Sequence, residues 1–177
     1  MALRPARTIR ERFWKQSWSR WSKKNMSKSY VKALPHKDLH QLRSGVGKEE
    51  DYPVAFDLVA EQNYLHRDNA IEAARQSVVK HLEKTMAKRF LFIIRVYPHE
   101  VIRENRMVAG AGADRIQKGM RRAFGKPTDR GAKIKKGQPI FTVYTYPENE
   151  AHVAEAFRKA SRKLSGSWRV VKRNVGN

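Results

Sequence analysis

Hydrophobic positions along the chain predict several short strands. Residues 54–62 are rich in β-branched and aromatic side chains, which is typical of a strand, and Pro53 stands at its entry. Residues 89–97 contain the apolar run Phe90-Leu91-Phe92-Ile93-Ile94, which predicts a strand that is buried on both faces and central in its sheet. Further strands are expected at 101–107, around 121–126, at 140–146 and, as a final edge strand, at 168–172.

Two amphipathic helices are predicted among these strands. The first has Asn69 and Glu72 at the spacing of a capping box. Its apolar face is expected to carry Ile71, Ala74, Val78 and Leu82. The second begins near Pro147, and its apolar stripe consists of Val153, Phe157, Ala160 and Leu164. Runs of strands with two helices on one face predict an α+β fold, a two-layer α/β sandwich of mostly antiparallel strands.

The first 48 residues differ in character from the rest of the chain. They show little strand or helix regularity and many basic residues, so we interpret 1–48 as a basic N-terminal extension and 49–177 as the folded domain. Trp14, Trp18 and Trp21 nevertheless fall on one helical face. Two interpretations stay open: a short helix packed on the domain, or a set of indole platforms that stack among the phosphates of a nucleic acid.

The strongest indication of a partner is charge, because the chain carries a formal net charge of +21. The charge is concentrated in two blocks: residues 1–48 have a net charge of +11 and residues 101–136 have +8, whereas residues 49–100 have −2. A surface that only serves solubility would intersperse both signs. A chain with 40% hydrophobic residues folds, so the composition predicts a globular protein whose partner is a polyanion, with nucleic acid as the leading candidate.

Several classes of site are excluded by residues that the chain lacks. It contains no cysteine, which excludes disulfides, zinc ribbons and thiol nucleophiles. The apolar runs are far shorter than the roughly 20 residues of a spanning helix, and the N-terminus lacks a signal-peptide pattern, so we expect a soluble protein that is not exported. His36 and His40 have no acidic ligand nearby and are interpreted as surface histidines. We therefore expect no metal and no other cofactor.

Residues 101–136 combine the second block of charge with glycines at positions 110, 112, 119, 125 and 131. Glycine lets backbone approach a crowded surface, and arginine offers planar donors to phosphates and base faces. Two nucleotide motifs were weighed against this pattern. Gly110 to Arg115 lacks the third glycine of a dinucleotide fingerprint, and Gly119 to Lys126 has the wrong spacing for a Walker motif. The segment is therefore predicted to be a loop region pressed against RNA.

The same region carries a family resemblance. The stretches concerned are YPHEVIREN from Tyr97, GAGADR from Gly110, GMRRAFGKP from Gly119 and GQPIF from Gly137. In this order they resemble the large-subunit ribosomal protein ten-e of archaea and eukaryotes, number sixteen in the universal naming. The resemblance extends from about Asp51 to the strand at Trp168. The absence of a long tail after Asn177 favours an archaeal source.

The resemblance implies an α/β-hammerhead fold bound to large-subunit rRNA near the central protuberance, beside the bound tRNAs. It also implies that one loop points toward the acceptor end of peptidyl-tRNA: Met107, Val108, Ala109, Gly110, Ala111, Gly112, Ala113 and Asp114. We expect a set of cations around this loop to neutralise rRNA phosphates: Arg103, Arg106, Arg115, Lys118, Arg121, Arg122, Lys126, Arg130, Lys133, Lys135 and Lys136.

The expected function is that of a structural constituent of the large subunit in cytoplasmic ribosomes, which supports tRNA positioning and assembly. Its expected partners are rRNA, tRNA and neighbouring ribosomal proteins. Two other classes stay open. A nucleic-acid chaperone or DNA-compacting protein would use the same charge without a fixed site, and an RNA-processing enzyme would need an acid or base that the sequence does not reveal.

Overall fold

The structure is a computed structural model that describes residues 7–8, 25, 31, 33–87, 89–105, 110–112, 115 and 125–175. Most of the N-terminal extension, including the face formed by Trp14, Trp18 and Trp21, lies outside the described residues. So do residues 121–124 of the strand predicted around 121–126. The described strands are, in chain order, β1 (Arg7–Thr8), β2 (Arg43–Gly45), β3 (Val54–Ala60), β4 (Tyr64–Arg67), β5 (Leu91–Ile94), β6 (Glu100–Glu104), β7 (Lys126–Ile134), β8 (Pro139–Thr145) and β9 (Trp168–Asn174).

The larger sheet has five strands in the order β2-β5-β8-β3-β9, and every pairing is antiparallel. The strands predicted at 54–62, 89–97, 140–146 and 168–172 are confirmed as β3, β5, β8 and β9, and β9 is an edge strand as expected. The prediction that 89–97 would be central is wrong, because β8 occupies the middle of the sheet. Residues of both β5 and β8 are buried, so hydrophobicity alone does not distinguish their positions.

The smaller sheet has four strands in the order β1-β4-β7-β6. Of these, β6 is confirmed, since a strand was expected at 101–107. The sequence pattern did not predict β4, which has only four residues and buries His66 and Arg67. Nor did it predict the extent of β7, which runs on from Lys126 through a stretch rich in charge and glycine. Both strands form because they pair with each other and with β6, a long-range effect that local propensity does not reveal.

Two helices are described, α1 (Asp68–Met86) and α2 (Glu150–Ser161), and a 3₁₀ turn at Pro147–Asn149 precedes α2. The predicted apolar faces are confirmed, and Leu164 is buried just beyond the end of α2. The predicted capping box is wrong, because α1 begins before Asn69. The Asp68 carboxylate accepts the Asn69 N–H at 3.0 Å. Glu72 instead binds the Arg75 guanidinium at 2.6 Å.

Both helices contribute to one main core with the larger sheet. Phe56 of β3 packs in the same cluster as Ile71 of α1 and Phe157 of α2. Ala55 and Tyr144, which alternate onto the other face of the sheet, belong to a separate smaller cluster. Two helices over antiparallel sheets confirm the predicted α+β class. The smaller sheet adds Tyr64, Ala132 and Ile134 to the main core, and the glycine-rich and arginine-rich segment follows β6 in the sequence.

Candidate RNA-binding surface

The segment between β6 and β7 leaves the smaller sheet at a narrow neck. Glu104 at the end of β6 pairs directly with Lys126 at the start of β7. Gly125 lies against this pair, and a Cβ atom built there would be 2.5 Å from the carbonyl carbon of Glu104. Only glycine fits this approach of backbone to backbone. The neck therefore fixes where the segment begins and ends.

A buried arginine holds the neck from the neighbouring strand. Arg67 of β4 places Nη2 3.4 Å from Glu104 Oε1 and Nη1 3.2 Å from Asp129 Oδ2. The Arg67 side chain is only 8% exposed. Asp68, the next residue, is also buried, and burial raises the pKa of its carboxyl, with Asp38 and Asp129 nearby adding to the effect.

The contacts of Arg67 fix the positions of two acidic side chains within residues 101–136. The acidic side chains of Glu104 and Asp129 face Arg67, a cation that lies outside the segment. A cation from outside the segment therefore offsets part of the negative charge of these two carboxylates. The sequence did not predict the role of Arg67 at the neck. An arginine directly before the first helix was visible, but its partners become clear only once the pairing of β4 with β7 is known.

Several of the predicted RNA-binding cations are exposed. Lys126 stands at the start of β7, and Lys135 and Lys136 lie in the turn between β7 and β8, where they are exposed. This turn is held by its backbone, since the Lys136 N–H donates to Asn63 Oδ1 at 2.8 Å. Arg103 and Arg115 are exposed as well.

Two of the predicted cations are engaged inside the protein instead. Arg130 is half-buried, and its Nε donates to the backbone oxygen of Pro35 at 2.9 Å. Lys133 places its ammonium 3.4 Å from the Glu100 carboxylate, and its side chain is 15% exposed. The pairing of β6 with β7 brings Lys133 near Glu100, which the sequence alone did not show. Arg106, Lys118, Arg121 and Arg122 lie outside the described residues.

Part of the loop expected near tRNA is described. Gly110, Ala111 and Gly112 are exposed, and the two glycines have φ values of 148° and 78°. Among the described residues, no atom lies within 4 Å of a Cβ atom built on either glycine. The Arg115 N–H donates to the Gly112 carbonyl at 3.1 Å, which closes a turn. Residues 107–109 and 113–114 of this loop lie outside the described residues.

The described residues form neither a metal-binding cluster nor a membrane-spanning helix. Over the part of the chain that the structure describes, no three His, Asp or Glu side chains gather in a way that could hold a metal ion. The rings of His36 and His40 are 6.2 Å apart between centroids and tilted by 54°. No described helix is long and apolar enough to cross a membrane.

Comparison with known proteins gives consistent matches over most of the chain. The family described as ribosomal protein L16p/L10e matches residues 19–171. The large ribosomal subunit protein uL16 of Methanococcus maripaludis is 42% identical over 173 residues, which cover 97% of this chain and 94% of that protein. The protein of the same name from Haloarcula marismortui is 37% identical over 147 residues, or 81% of this chain and 83% of that protein. The one from Archaeoglobus fulgidus is 36% identical over 172 residues, covering 97% and 93%.

Proposed function

The chain belongs to the ribosomal protein L16p/L10e family, and from this premise we propose that its basic surface around β7 binds large-subunit rRNA near the central protuberance. In this proposal the protein supports tRNA positioning and assembly of the subunit. Family membership itself makes the chain a structural protein of the large subunit in cytoplasmic ribosomes, and not an enzyme. Its neighbours there are rRNA and other ribosomal proteins.

The proposed mechanism is neutralisation of phosphates by cations on a rigid mount. Lys126, Lys135 and Lys136 are exposed at the two ends of β7, where the strand pairing holds their backbone. Each phosphate contact releases condensed counterions, which contributes favourably at low salt and less at high salt. Arg103 and Arg115 extend the same surface toward the loop. Because nothing in this scheme makes or breaks a bond, the outcome is a positioned RNA.

The main support for the proposal is the contact of Arg67 with acidic side chains at the neck. Arg67 faces Glu104 and Asp129, so a cation from outside the segment offsets part of its negative charge. The lysines at the start of β7 and in its following turn make no contact with these two carboxylates and stay exposed. A chaperone without a fixed site would need the charge but not this internal arrangement. The proposed role of the loop at 107–114, close to the acceptor end of tRNA, is supported by the exposure of Gly110, Ala111 and Gly112.

Co-sedimentation with large subunits tests the proposal. We expect the wild-type chain to remain on the subunit stoichiometrically after a high-salt wash. A variant with Lys126→Gln, Lys135→Gln and Lys136→Gln should be washed off at lower salt, because phosphate contacts are lost. The control, matched to the Lys135→Gln, Lys136→Gln part of this variant, is Lys80→Gln with Lys84→Gln, which removes two exposed cations from α1. Equal retention of the two variants, or recovery of the wild-type chain apart from subunits, would contradict the proposal.

A further inference from the structure

A second surface, formed by residues 36–40 and 97–99, combines aromatic rings with cations. The Lys37 ammonium lies 5.2 Å from the centroid of the Tyr97 ring. Tyr97 in turn contacts His99, with ring centroids 4.8 Å apart and planes at 50°. His36 and His40 form a second ring pair in the segment that carries Lys37. We call residues 36–40 and 97–99 the ring surface.

The rings of this surface are accessible. The His36 side chain is 81% exposed. His40 and His99 are exposed, and Tyr97 is half-buried and contacts both Lys37 and His99. Exposed rings contribute little to a core, so packing does not explain why several stand together here.

Contacts with the core and with neighbouring elements hold the backbone of the ring surface in place. Leu39 is completely buried in the main core, and the Asp38 N–H donates to Asp68 Oδ2 at 3.0 Å. Pro35, just before the segment, accepts the hydrogen bond from Arg130 Nε. Pro98, which stands between Tyr97 and His99 in the sequence, is buried. These contacts fix the backbone before any partner binds, which lowers the entropic cost of binding.

The chemistry of the rings favours one class of partner. Two histidines at i and i+4 resemble metal ligands, but their ring centroids are 6.2 Å apart. The Asp38 carboxylate stands 3.9 Å from His36 Nε2, yet the described residues hold no group of three side chains that could bind a metal ion. The imidazole and phenol rings carry polar groups at their edges, and the Lys37 ammonium lies over the Tyr97 ring. The Arg130 guanidinium donates to the Pro35 carbonyl, directly before residues 36–40. Flat nucleobases linked by phosphates match this combination of π-faces and cations.

We propose that the ring surface stacks unpaired bases of rRNA, a contact separate from the phosphate-binding cations of β7. This inference rests on the proposed function, because it takes rRNA as the partner. His36, His40 and His99 offer the accessible faces, and Tyr97 with Lys37 supports them. Stacking of one base on an aromatic ring changes affinity by about 5- to 100-fold, which follows from the energies of base–aromatic stacking. The contact depends weakly on salt, unlike a phosphate contact.

The test measures binding of the full chain to large-subunit rRNA fragments over a series of salt concentrations at pH 8, above the ordinary titration range of histidine. The variant carries His36→Ala, His40→Ala and His99→Ala. We expect its affinity to fall at least about 5-fold at every salt concentration, with an unchanged slope of log affinity against log salt. The control is His152→Ala, an exposed histidine on α2, which should bind as the wild type does.

A rescue variant separates stacking from a structural role. Replacing the same three histidines by Phe restores π-faces without restoring any hydrogen bond, so it should recover most of the lost affinity, while circular dichroism confirms that each variant is folded. An alanine variant that binds like the wild type, a phenylalanine variant that fails to recover, or a loss confined to low salt would each overturn the inference. If the wild-type chain itself shows no salt-dependent binding to rRNA, the proposed function fails instead.

Discussion

Arg67 at the end of β4 holds Glu104 at the end of β6, with its Nη2 3.4 Å from the carboxylate oxygen and both side chains nearly buried. The same guanidinium reaches Asp129 of β7, so a single side chain connects three strands. This contact lies directly beneath the neck from which residues 105–125 leave the sheet. The position of that segment therefore depends on a residue that lies far from it in the sequence.

Replacing Arg67 by Met should destabilise the fold strongly. The variant keeps much of the side-chain volume but leaves two carboxylates without the cation they face, which costs about 3 kcal/mol of unfolding free energy for a buried pair. Urea denaturation measures the loss. Arg158→Met is the control, because its pair with Glu155 lies at the surface and should matter little. Similar urea midpoints for the two variants would show that the contact at the neck is not structurally important.

Replacing Gly125 by Ala should force β6 and β7 apart at the neck. The new methyl group would meet the backbone of Glu104 and Asn105 at 2.5 to 2.8 Å, and backbone atoms cannot yield as a flexible side chain can. We expect a loss of roughly 1–3 kcal/mol, toward the upper end of that range, in thermal or chemical unfolding. Gly137→Ala serves for comparison, since its Cβ meets nothing within 4 Å and its cost arises only from a φ of 81°. A smaller loss at Gly125 than at Gly137 would count against the close approach.

His66 should make the protein sensitive to mild acid. Its side chain is completely buried and contacts Tyr64 and Trp168. Burial lowers the pKa of His66 from 6.5 to about 4, and the Ser165 backbone only partly offsets this. Within the described part of the chain no group meets both the distance and the angle of a full hydrogen bond to either ring nitrogen, so the interaction with the Ser165 backbone is weak.

The sign of this effect follows from proton binding. The unfolded chain takes up a proton on His66 near pH 6.5, whereas the folded chain does so only near pH 4, so stability falls as the pH is lowered through this window. The loss attributable to His66 is about 3 kcal/mol. Urea denaturation between pH 7 and pH 4.5 should show a shallower pH dependence for His66→Leu than for the wild type. Parallel curves would contradict the assignment.

Each exposed lysine that binds a phosphate should contribute separately to the slope of log affinity for rRNA against log salt. If about eight cations meet phosphates, affinity should fall about 10³- to 10⁵-fold between 50 and 200 mM salt. Replacing Lys135 and Lys136 by Gln should reduce the slope by about one for each residue. The pair Lys80→Gln and Lys84→Gln should leave the slope unchanged. A flat response in the wild type, or equal slopes in all variants, would exclude this surface as the phosphate contact.

Local sequence pattern predicted the elements whose own residues determine them. The apolar stripes of α1 and α2 and the hydrophobic strands β3, β5 and β8 follow from periodicity, because those side chains fill the main core. The strands β4 and β7 have no such pattern. Each is polar or short and exists because it pairs with strands that are distant in sequence.

In the candidate RNA-binding surface, too, some features could be predicted from local sequence and others depend on long-range pairing. The block of positive charge was visible in the composition, but the partners of individual side chains were not. Lys133 and Arg130 were predicted to be as free as Lys126, yet they contact Glu100 and the Pro35 carbonyl. Arg67 was not considered at all. Which cation is exposed depends on strand register, and register is a property of the whole sheet.

The most direct test of the account is a density map of the large ribosomal subunit that contains this chain. We expect Lys126, Lys135 and Lys136 to lie within hydrogen-bonding reach of rRNA phosphate oxygens, roughly 3 Å from nitrogen to oxygen. A map in which these lysines face solvent or protein, while another side of the fold meets the RNA, would contradict it.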